Sequence, residues 1–171
     1  ALTTLSFYYP TSIRDRSEFF SKELMNFFML GQEEGLPLDE VTGSYAGAMG
    51  LGQFMPSSYR EYAVDMDEDG RRDLWSSMPD IIGSVANYLA RHGWELGQPV
   101  TYPAVVSPDA DMSLVTKRDF KVKTPVSEWA GAGFESSQPV PGEMLAAVGA
   151  LEEEDGDRYF MTFKNFYVIT R

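Results

Sequence analysis

The chain has no cysteine among its 171 residues and only one histidine. Without cysteine, disulfides, thiolate chemistry and cysteine-ligated zinc or iron–sulfur centres are excluded. The single histidine, His92, stands at the end of a predicted helix, and a helix-end residue is a more ordinary role for it than a metal ligand.

Basic residues are also scarce, with 14 Lys and Arg against 26 Asp and Glu and a net charge of −12. Nucleic acid is therefore not an expected partner, because neutralising phosphates needs clustered cations. No run approaches the roughly 18 apolar residues of a membrane helix. The start of the chain lacks the basic segment of a signal peptide.

What the chain does contain is typical of a globular protein, with 43% hydrophobic and 13% aromatic residues. Its length suits one well-buried core, with room for a small second lobe. The chain opens on an apolar run without methionine, and residues 166–171 read as the middle of an element. We therefore expect a fragment cut at both ends, with any membrane attachment made by segments outside it. Separately, we expect the protein to be a monomer.

Hydrophobic periodicity predicts helices in the first part of the chain and strands in the second. Apolar residues at helical spacing predict a helix over 17–31, another opening at Pro56, and a third from about Pro79 to His92. After Gly97 the pattern changes to short, partly alternating runs separated by turn residues. These predict strands near 100–106, 120–124, 143–151 and 159–169.

An acidic loop lies between two of these helices, with the sequence Asp65-Met-Asp-Glu-Asp-Gly-Arg-Arg-Asp-Leu-Trp-Ser76. Carboxylates at positions 1, 3, 5 and 9 and glycine at position 6 are typical of an EF-hand calcium loop. Position 12 is Ser76 instead of the usual glutamate. If the loop binds calcium, either the site is weak or its last ligand comes from further along the chain. The alternative is a solvated acidic turn that binds no ion.

The glycine-rich segment Gly47-Ala-Met-Gly-Leu-Gly-Gln-Phe-Met-Pro-Ser-Ser58 matches neither a phosphate loop nor a dinucleotide fingerprint. Its exposed backbone, neutral amide and apolar side chains suit the floor of a sugar site. Close packing of elements across glycine is the other interpretation, and the residues alone favour packing.

Several ordered segments resemble the membrane-bound lytic murein transglycosylase B family. The resemblance is dense from Ser44-Tyr-Ala-Gly-Ala-Met-Gly-Leu-Gly-Gln-Phe-Met-Pro-Ser-Ser-Tyr59 through the acidic loop to Ile82-Gly-Ser-Val-Ala-Asn-Tyr-Leu89 and His92-Gly-Trp94. Ala1-Leu-Thr-Thr-Leu-Ser-Phe7 and Asn165-Phe-Tyr-Val-Ile-Thr-Arg171 match the same family at the two ends. The resemblance covers nearly the whole chain, but few residues match over 101–160.

The resemblance implies an α+β fold, with a lysozyme-like helical core and a small β-rich insertion. Residues 1–97 would form part of the helical core, 98–160 the β-rich lobe, and 161–171 a return strand. It also implies cleavage of the β-1,4 bond between N-acetylmuramic acid and N-acetylglucosamine in peptidoglycan. The product would be a 1,6-anhydro ring, made by a glutamate acting first as acid and then as base.

In that family the catalytic glutamate precedes the segment matched by Ala1–Phe7, so no residue of this chain is predicted as the catalytic acid. The 171 residues alone are therefore expected to be inactive. The carboxylates available in the first part of the chain are expected on solvated helix faces or loops. They are Glu18, Glu23, Glu33, Glu34, Glu40 and Glu61.

The resemblance assigns sugar-binding and metal-binding roles by position. The implied substrate-binding residues are Ser44, Gln53, Tyr88, Asn165, Tyr167 and Arg16. For Tyr88, core packing is the open alternative. The implied calcium ligands are Asp65, Asp67, Asp69, the Arg71 carbonyl and Asp80. Asp80 would replace the glutamate that is absent from position 12, and Asp73 would contribute through a water molecule.

We therefore expect calcium as a structural ion, no organic cofactor, peptidoglycan strands as partner, and a periplasmic or outer-membrane-associated location. A non-catalytic, calcium-stabilised glycan-binding module is the alternative function. A calcium sensor is disfavoured because only one loop is visible and sensors usually pair two.

Overall fold

The computed structural model describes residues 1–9 and 15–170. The chain forms two compact units, Ala1–Tyr88 and Leu89–Arg171. The first is helical and the second is built on a β-sheet, as the predicted α+β class requires. The boundary between the units falls inside a helix and not at the predicted break after residue 97, so the functional division into 1–97, 98–160 and 161–171 stays a prediction.

Helices dominate the first unit, and the predicted helices are confirmed. The longest ends at Gly35, whose left-handed backbone (φ 64°) closes the last turn. Another begins with Pro56 in its first turn, where a missing N–H costs nothing. The helices are α1 Leu2–Phe7, α2 Ser17–Glu34, α3 Pro56–Tyr62 and α4 Met78–Arg91, the last of which runs past the unit boundary.

Among the described residues, one hydrophobic core joins α2, α3 and α4 to the two segments singled out in the sequence. Leu30 comes from α2, Phe54 from the glycine-rich segment, Tyr59 from α3 and Leu74 from the acidic loop, and all are buried. Burial raises the pKa of Tyr59, so its hydroxyl stays protonated and donates to the Arg72 carbonyl. The acidic loop is thereby fixed against the core.

The second unit contains a five-stranded sheet in the order β2-β4-β5-β1-β3, with antiparallel pairing throughout. The strands are β1 Thr101–Val106, β2 Thr124–Pro125, β3 Phe134–Ser136, β4 Leu145–Leu151 and β5 Arg158–Thr162. Val148 of β4 lies opposite Met161 of β5, and both belong to the buried core of this unit. Helix α5, Val126–Gly131, adds Trp129 to that core.

Two strand predictions need correction. The strand expected over 120–124 is reduced to Thr124–Pro125. The return strand expected over 161–171 ends at Thr162 and gives way to helix α6, Lys164–Ile169. A short apolar run does not distinguish strand from buried helix by periodicity. Here Asn165 and Val168 are the buried pair, three residues apart, which is helical spacing.

None of the helices within residues 1–9 and 15–170 is both long enough and apolar enough to cross a membrane.

Candidate functional site

The glycine-rich segment forms tight turns whose glycines allow close packing. A Cβ on Gly47 would lie 2.4 Å from the Leu2 side chain, and one on Gly50 would lie 2.5 Å from the Leu74 carbonyl oxygen. The Leu51 N–H donates to that same carbonyl at 2.8 Å. Close packing is thus the role of these two glycines, and it joins the segment to the end of the acidic loop.

Gln53 follows these glycines and stays exposed. Its backbone is left-handed (φ 51°), and its side-chain amide donates to the Gly50 carbonyl at 2.9 Å. Gln53 and Tyr88 line one cavity of 300 Å³, together with Phe54 and Val85. The Phe54 ring meets the Tyr88 ring edge-on at 5.7 Å. An amide beside aromatic and apolar walls is a combination that suits a sugar ring.

Ser44 and Arg16 lie apart from that cavity. Ser44 lines a second cavity of 280 Å³ formed with α1 and α2, and its hydroxyl accepts from the Ala48 N–H at 3.1 Å. The Arg16 guanidinium lies over the rings of Phe19 (4.7 Å) and Phe20 (5.3 Å) and lines neither cavity. The residues preceding it, 10–14, lie outside the described part of the chain.

Asn165 and Tyr167 both lie on α6 in the second unit. Asn165 is 0% exposed. Its side-chain oxygen accepts from the Glu95 N–H at 2.9 Å, and its amide donates to the carbonyls of Glu95 (2.9 Å) and Gln98 (3.0 Å). Burial leaves Asn165 no open face for direct sugar contact, so its role here is to fix the turn at 95–98. Tyr167 is half-buried.

The acidic loop brings three of its predicted metal ligands together. Asp65, Asp67 and Asp80 each place a carboxylate oxygen within 4.8 Å of the others. Gly70 has φ 90°, the sharp turn expected at position 6. Carboxylate oxygens are the ligands calcium prefers, and carbonyls and water commonly complete its six to eight positions. The donor set fits calcium, while the assignment of each ligand stays a prediction.

Asp80 is 0% exposed and organises this loop from the start of α4. Its carboxylate accepts from three backbone N–H groups, those of Met66 (2.7 Å), Asp67 (3.4 Å) and Asp73 (2.8 Å). A buried carboxylate needs such partners, and these three donors provide them. Asp80 thus closes the loop through protein hydrogen bonds as well as offering an oxygen to an ion.

Asp69, Arg71 and Asp73 lie in the same loop but outside the group of three. The Asp69 carboxylate accepts from the Arg71 N–H at 2.9 Å. The Asp73 carboxylate accepts from the Ser76 hydroxyl and from the Trp75 and Ser76 N–H groups. The Ser76 hydroxyl is the main cause of a lowered Asp73 pKa. Asp73 therefore fastens the end of the loop.

An ion-pair network, absent from the sequence prediction, ties the loop to α2 and α3. The Arg72 guanidinium pairs with Glu34 and donates to the Arg60 carbonyl, and its backbone N–H also donates to Glu34. Arg60 in turn pairs with Glu33 at 2.7 Å. Partners this far apart in sequence leave no local pattern, so periodicity could not reveal them.

Three of the glutamates expected on solvated surfaces have partners in the structure. Glu33 is exposed as expected, whereas Glu23 and Glu34 are not. Glu23 is 4% exposed and accepts from both the N–H and the hydroxyl of Ser57. The Arg60 hydrogen bond lowers the pKa of Glu33, whereas a general acid needs a raised one. Glu34 is occupied by Arg72. These carboxylates hold elements together, and none has the environment of a catalytic acid.

Comparison with known proteins gives a family match along the whole chain. Residues 1–171 match the family described as Transglycosylase SLT domain. The chain is 43% identical to membrane-bound lytic murein transglycosylase B of Escherichia coli (strain K12), covering 100% of this chain and 45% of that protein.

Two solved structures of lytic transglycosylases superpose on almost the whole of this chain. The calcium complex of the Escherichia coli lytic transglycosylase Slt35 superposes with a TM-score of 0.84 at 42% identity, covering 99% of this chain and 51% of that one. SltB3 of Pseudomonas aeruginosa in complex with NAG-anhNAM-pentapeptide gives 0.81 at 34% identity, covering 98% and 44%. The chain thus spans about half the length of the relatives it matches, with the same mixed helical and sheet fold.

Proposed function

The chain belongs to the transglycosylase SLT domain family, and from that premise we propose that the protein carrying it is a peptidoglycan lytic transglycosylase. The proposed reaction cleaves the β-1,4 bond between N-acetylmuramic acid and N-acetylglucosamine and closes a 1,6-anhydro ring on the muramic acid. The observation that carries the proposal is 43% identity along the full chain to a lytic murein transglycosylase. The complex of SltB3 with an anhydromuramyl pentapeptide supports the anhydro product.

This chain would contribute the surface that holds the glycan. In the proposal the Gln53 amide hydrogen-bonds sugar hydroxyls or acetamido groups, and the Tyr88 ring covers a C–H face. Their shared cavity supports this pairing. Ser44, Arg16 and Tyr167 are proposed as further substrate contacts, with Arg16 suited to a carboxylate.

The acid–base step needs one carboxyl group that donates a proton to the leaving oxygen and then accepts one from the muramic acid 6-hydroxyl. Glu23, Glu33 and Glu34 are occupied by Ser57, Arg60 and Arg72, and we assign the acid to none of them. The proposed reaction exchanges the glycosidic C1–O bond of the muramic acid for a bond from C1 to its own 6-oxygen, and the carboxyl group moves the two protons. No oxidation state changes, so the reaction requires no organic cofactor.

Calcium is proposed as a structural ion in the acidic loop. Asp65, Asp67 and Asp80 would supply carboxylate oxygens, with Asp69 and the Arg71 carbonyl as the remaining protein ligands. The cluster of three carboxylates and the calcium complex of Slt35 support this assignment. The ion would lower the repulsion among these carboxylates and stabilise the loop.

The proposed location is the cell envelope, on the periplasmic side, since the substrate lies there and the Escherichia coli relative is named membrane-bound. We propose a monomer, whose partners are glycan strands and not nucleic acid.

The test is product analysis with the natural full-length protein and purified peptidoglycan sacculi. Mass spectrometry should find muropeptides ending in 1,6-anhydro-N-acetylmuramic acid, which are lighter than the hydrolytic products by one water. Gln53→Ala should slow their release, whereas Glu135→Gln, an exposed substitution in the second unit, should not. Products with reducing ends only would contradict the proposal and indicate a hydrolase.

A further inference from the structure

A cavity in the second unit is not part of the site described so far. Its volume is 520 Å³, larger than either cavity lined by the predicted sugar-binding residues. Phe163, Met144 and Leu145 provide apolar lining, and Phe163 is buried at 1% exposure. A volume of this size lies in the usual range for small-molecule sites, about 300–1,000 Å³.

The rim of this cavity carries charges of both signs. Glu95 and Lys164 form an ion pair and both line the cavity. Glu143 lines it as well, is exposed, and has no hydrogen bond or ion pair with any residue of the described ranges. Two carboxylates and one ammonium group around an apolar floor are complementary to a ligand that carries both an amine and a carboxylate on a short aliphatic frame.

One wall of the cavity is rigid before any ligand arrives. The turn from Glu95 to Gln98 is held by three hydrogen bonds to Asn165, whose side chain is fully buried. A wall fixed in this way loses little conformational entropy on binding, so more of the contact energy is retained as affinity.

We propose that this cavity binds the peptide stem of peptidoglycan, with the stem's side-chain amine at Glu143 and a stem carboxylate at Lys164. The inference rests on the proposed function, because that function supplies the ligand. A stem peptide has the required chemistry, since it combines free carboxylates, an amine on its third residue and short apolar side chains. The relative SltB3 has been captured with a glycan that carries a pentapeptide.

The test uses a synthetic stem pentapeptide with lysine at its third position, acetylated at its N-terminus and carrying no sugar. Calorimetric titration into the 171-residue chain should detect binding. Acetylating the lysine side chain should weaken it by about tenfold, the loss expected from one charge-assisted contact. Glu143→Gln should weaken binding of the unmodified peptide by the same factor. Titrating the acetylated peptide into Glu143→Gln should show no further loss of affinity, because each change removes the same contact between the peptide amine and the Glu143 carboxylate.

Glu135→Gln is the matched control, since Glu135 is also exposed on this unit but does not line the cavity. It should bind the peptide as the parent chain does. Equal peptide affinity in the parent chain and in Glu143→Gln would overturn the inference. Thermal unfolding midpoints verify that Glu143→Gln is folded.

A second titration, with a peptide-free N-acetylglucosamine oligosaccharide, separates this inference from the proposed function. Sugar binding without peptide binding would overturn the inference and leave the function in place. Failure of both titrations would count against the inference and the proposed function together. Binding of both, with only peptide binding sensitive to Glu143→Gln, is the result we expect.

Discussion

Gln53 holds a backbone conformation that residues with a β-carbon rarely adopt, and it does so beside the proposed sugar contact. A left-handed backbone at a non-glycine residue costs about 1–2 kcal/mol. The bond from its amide to the Gly50 carbonyl supports the conformation. A glycine would hold the same turn without strain, so the glutamine side chain is retained at a cost in stability. Strain of this kind is common where a side chain has a function.

Replacing Gln53 by glycine and by alanine should therefore separate stability from binding. We expect Gln53→Gly to have a free energy of unfolding about 1–2 kcal/mol higher than Gln53→Ala, because only glycine relieves the left-handed strain. Both variants should lose affinity for an N-acetylglucosamine oligosaccharide. Urea denaturation and calorimetric titration measure the two effects. Unchanged sugar affinity in Gln53→Gly would contradict the proposed contact.

At the scale of elements, α3 depends on a residue from a different helix. No side chain of its own caps its N-terminus. The Glu23 carboxylate of α2 takes that place, accepting from the Ser57 N–H at 2.9 Å and the Ser57 hydroxyl at 2.7 Å. A negative charge at a helix N-terminus also interacts favourably with the helix dipole. Glu23 thereby fixes α3 against α2.

Glu23→Gln should lower the free energy of unfolding by about 1–2 kcal/mol, because both bonds to Ser57 lose their charge assistance and the negative charge at the helix N-terminus is lost. The glutamine oxygen can still accept from the Ser57 N–H, and its amide can donate to the Ser57 hydroxyl. Glu18→Gln on the same helix is the matched control. Glu18 pairs with Lys22 in an exposed i,i+4 arrangement, and its loss should leave the urea midpoint unchanged. If both variants unfold at the same urea concentration, the capping role of Glu23 is refuted.

The elements that could be predicted from sequence are those whose signals are local. The apolar spacing over 17–31 and the Pro56 start predicted α2 and α3, and the Asp spacing with Gly70 predicted the loop. The Glu23–Ser57 bond joins residues 34 apart, and the Glu34–Arg72 pair joins residues 38 apart. Such pairs depend on how helices pack, which no local pattern reports. Helix α6 was missed for a related reason, since six residues are too few for a period to show.

At the scale of the whole molecule, the residues that the structure describes form a hydrophobic core in each unit, and the acidic loop belongs to that of the first. Leu74 of the loop lies in that core, and the Trp75 ring lies tilted against the Tyr59 ring with their centroids 5.8 Å apart. With a net charge of −12, a bound divalent cation also reduces self-repulsion. Calcium should therefore stabilise the first unit, which contains Trp75, while Trp94 and Trp129 belong to the second.

Calcium at about 100 times its dissociation constant should raise the free energy of unfolding by about 2.7 kcal/mol relative to chelated protein. Tryptophan fluorescence during urea unfolding, in calcium and in EDTA, measures the difference. Asp80→Asn should abolish the calcium effect and also lower stability in EDTA, because its buried carboxylate accepts three backbone N–H groups.

Glu68→Gln serves as the control for charge, since Glu68 is an exposed acid in the same loop outside the group of three. It should keep the calcium effect. Identical urea midpoints in calcium and in EDTA for the parent chain would refute a stabilising ion.

The shared acceptor at Asp80 also has a consequence for motion. The amides of Met66, Asp67 and Asp73 come from both ends of the loop, yet all point to one carboxylate. Each bond slows the exchange of its amide hydrogen with solvent. A movement of the Asp80 carboxylate releases all three amides at once, so the two limbs of the loop share one route by which their hydrogens exchange.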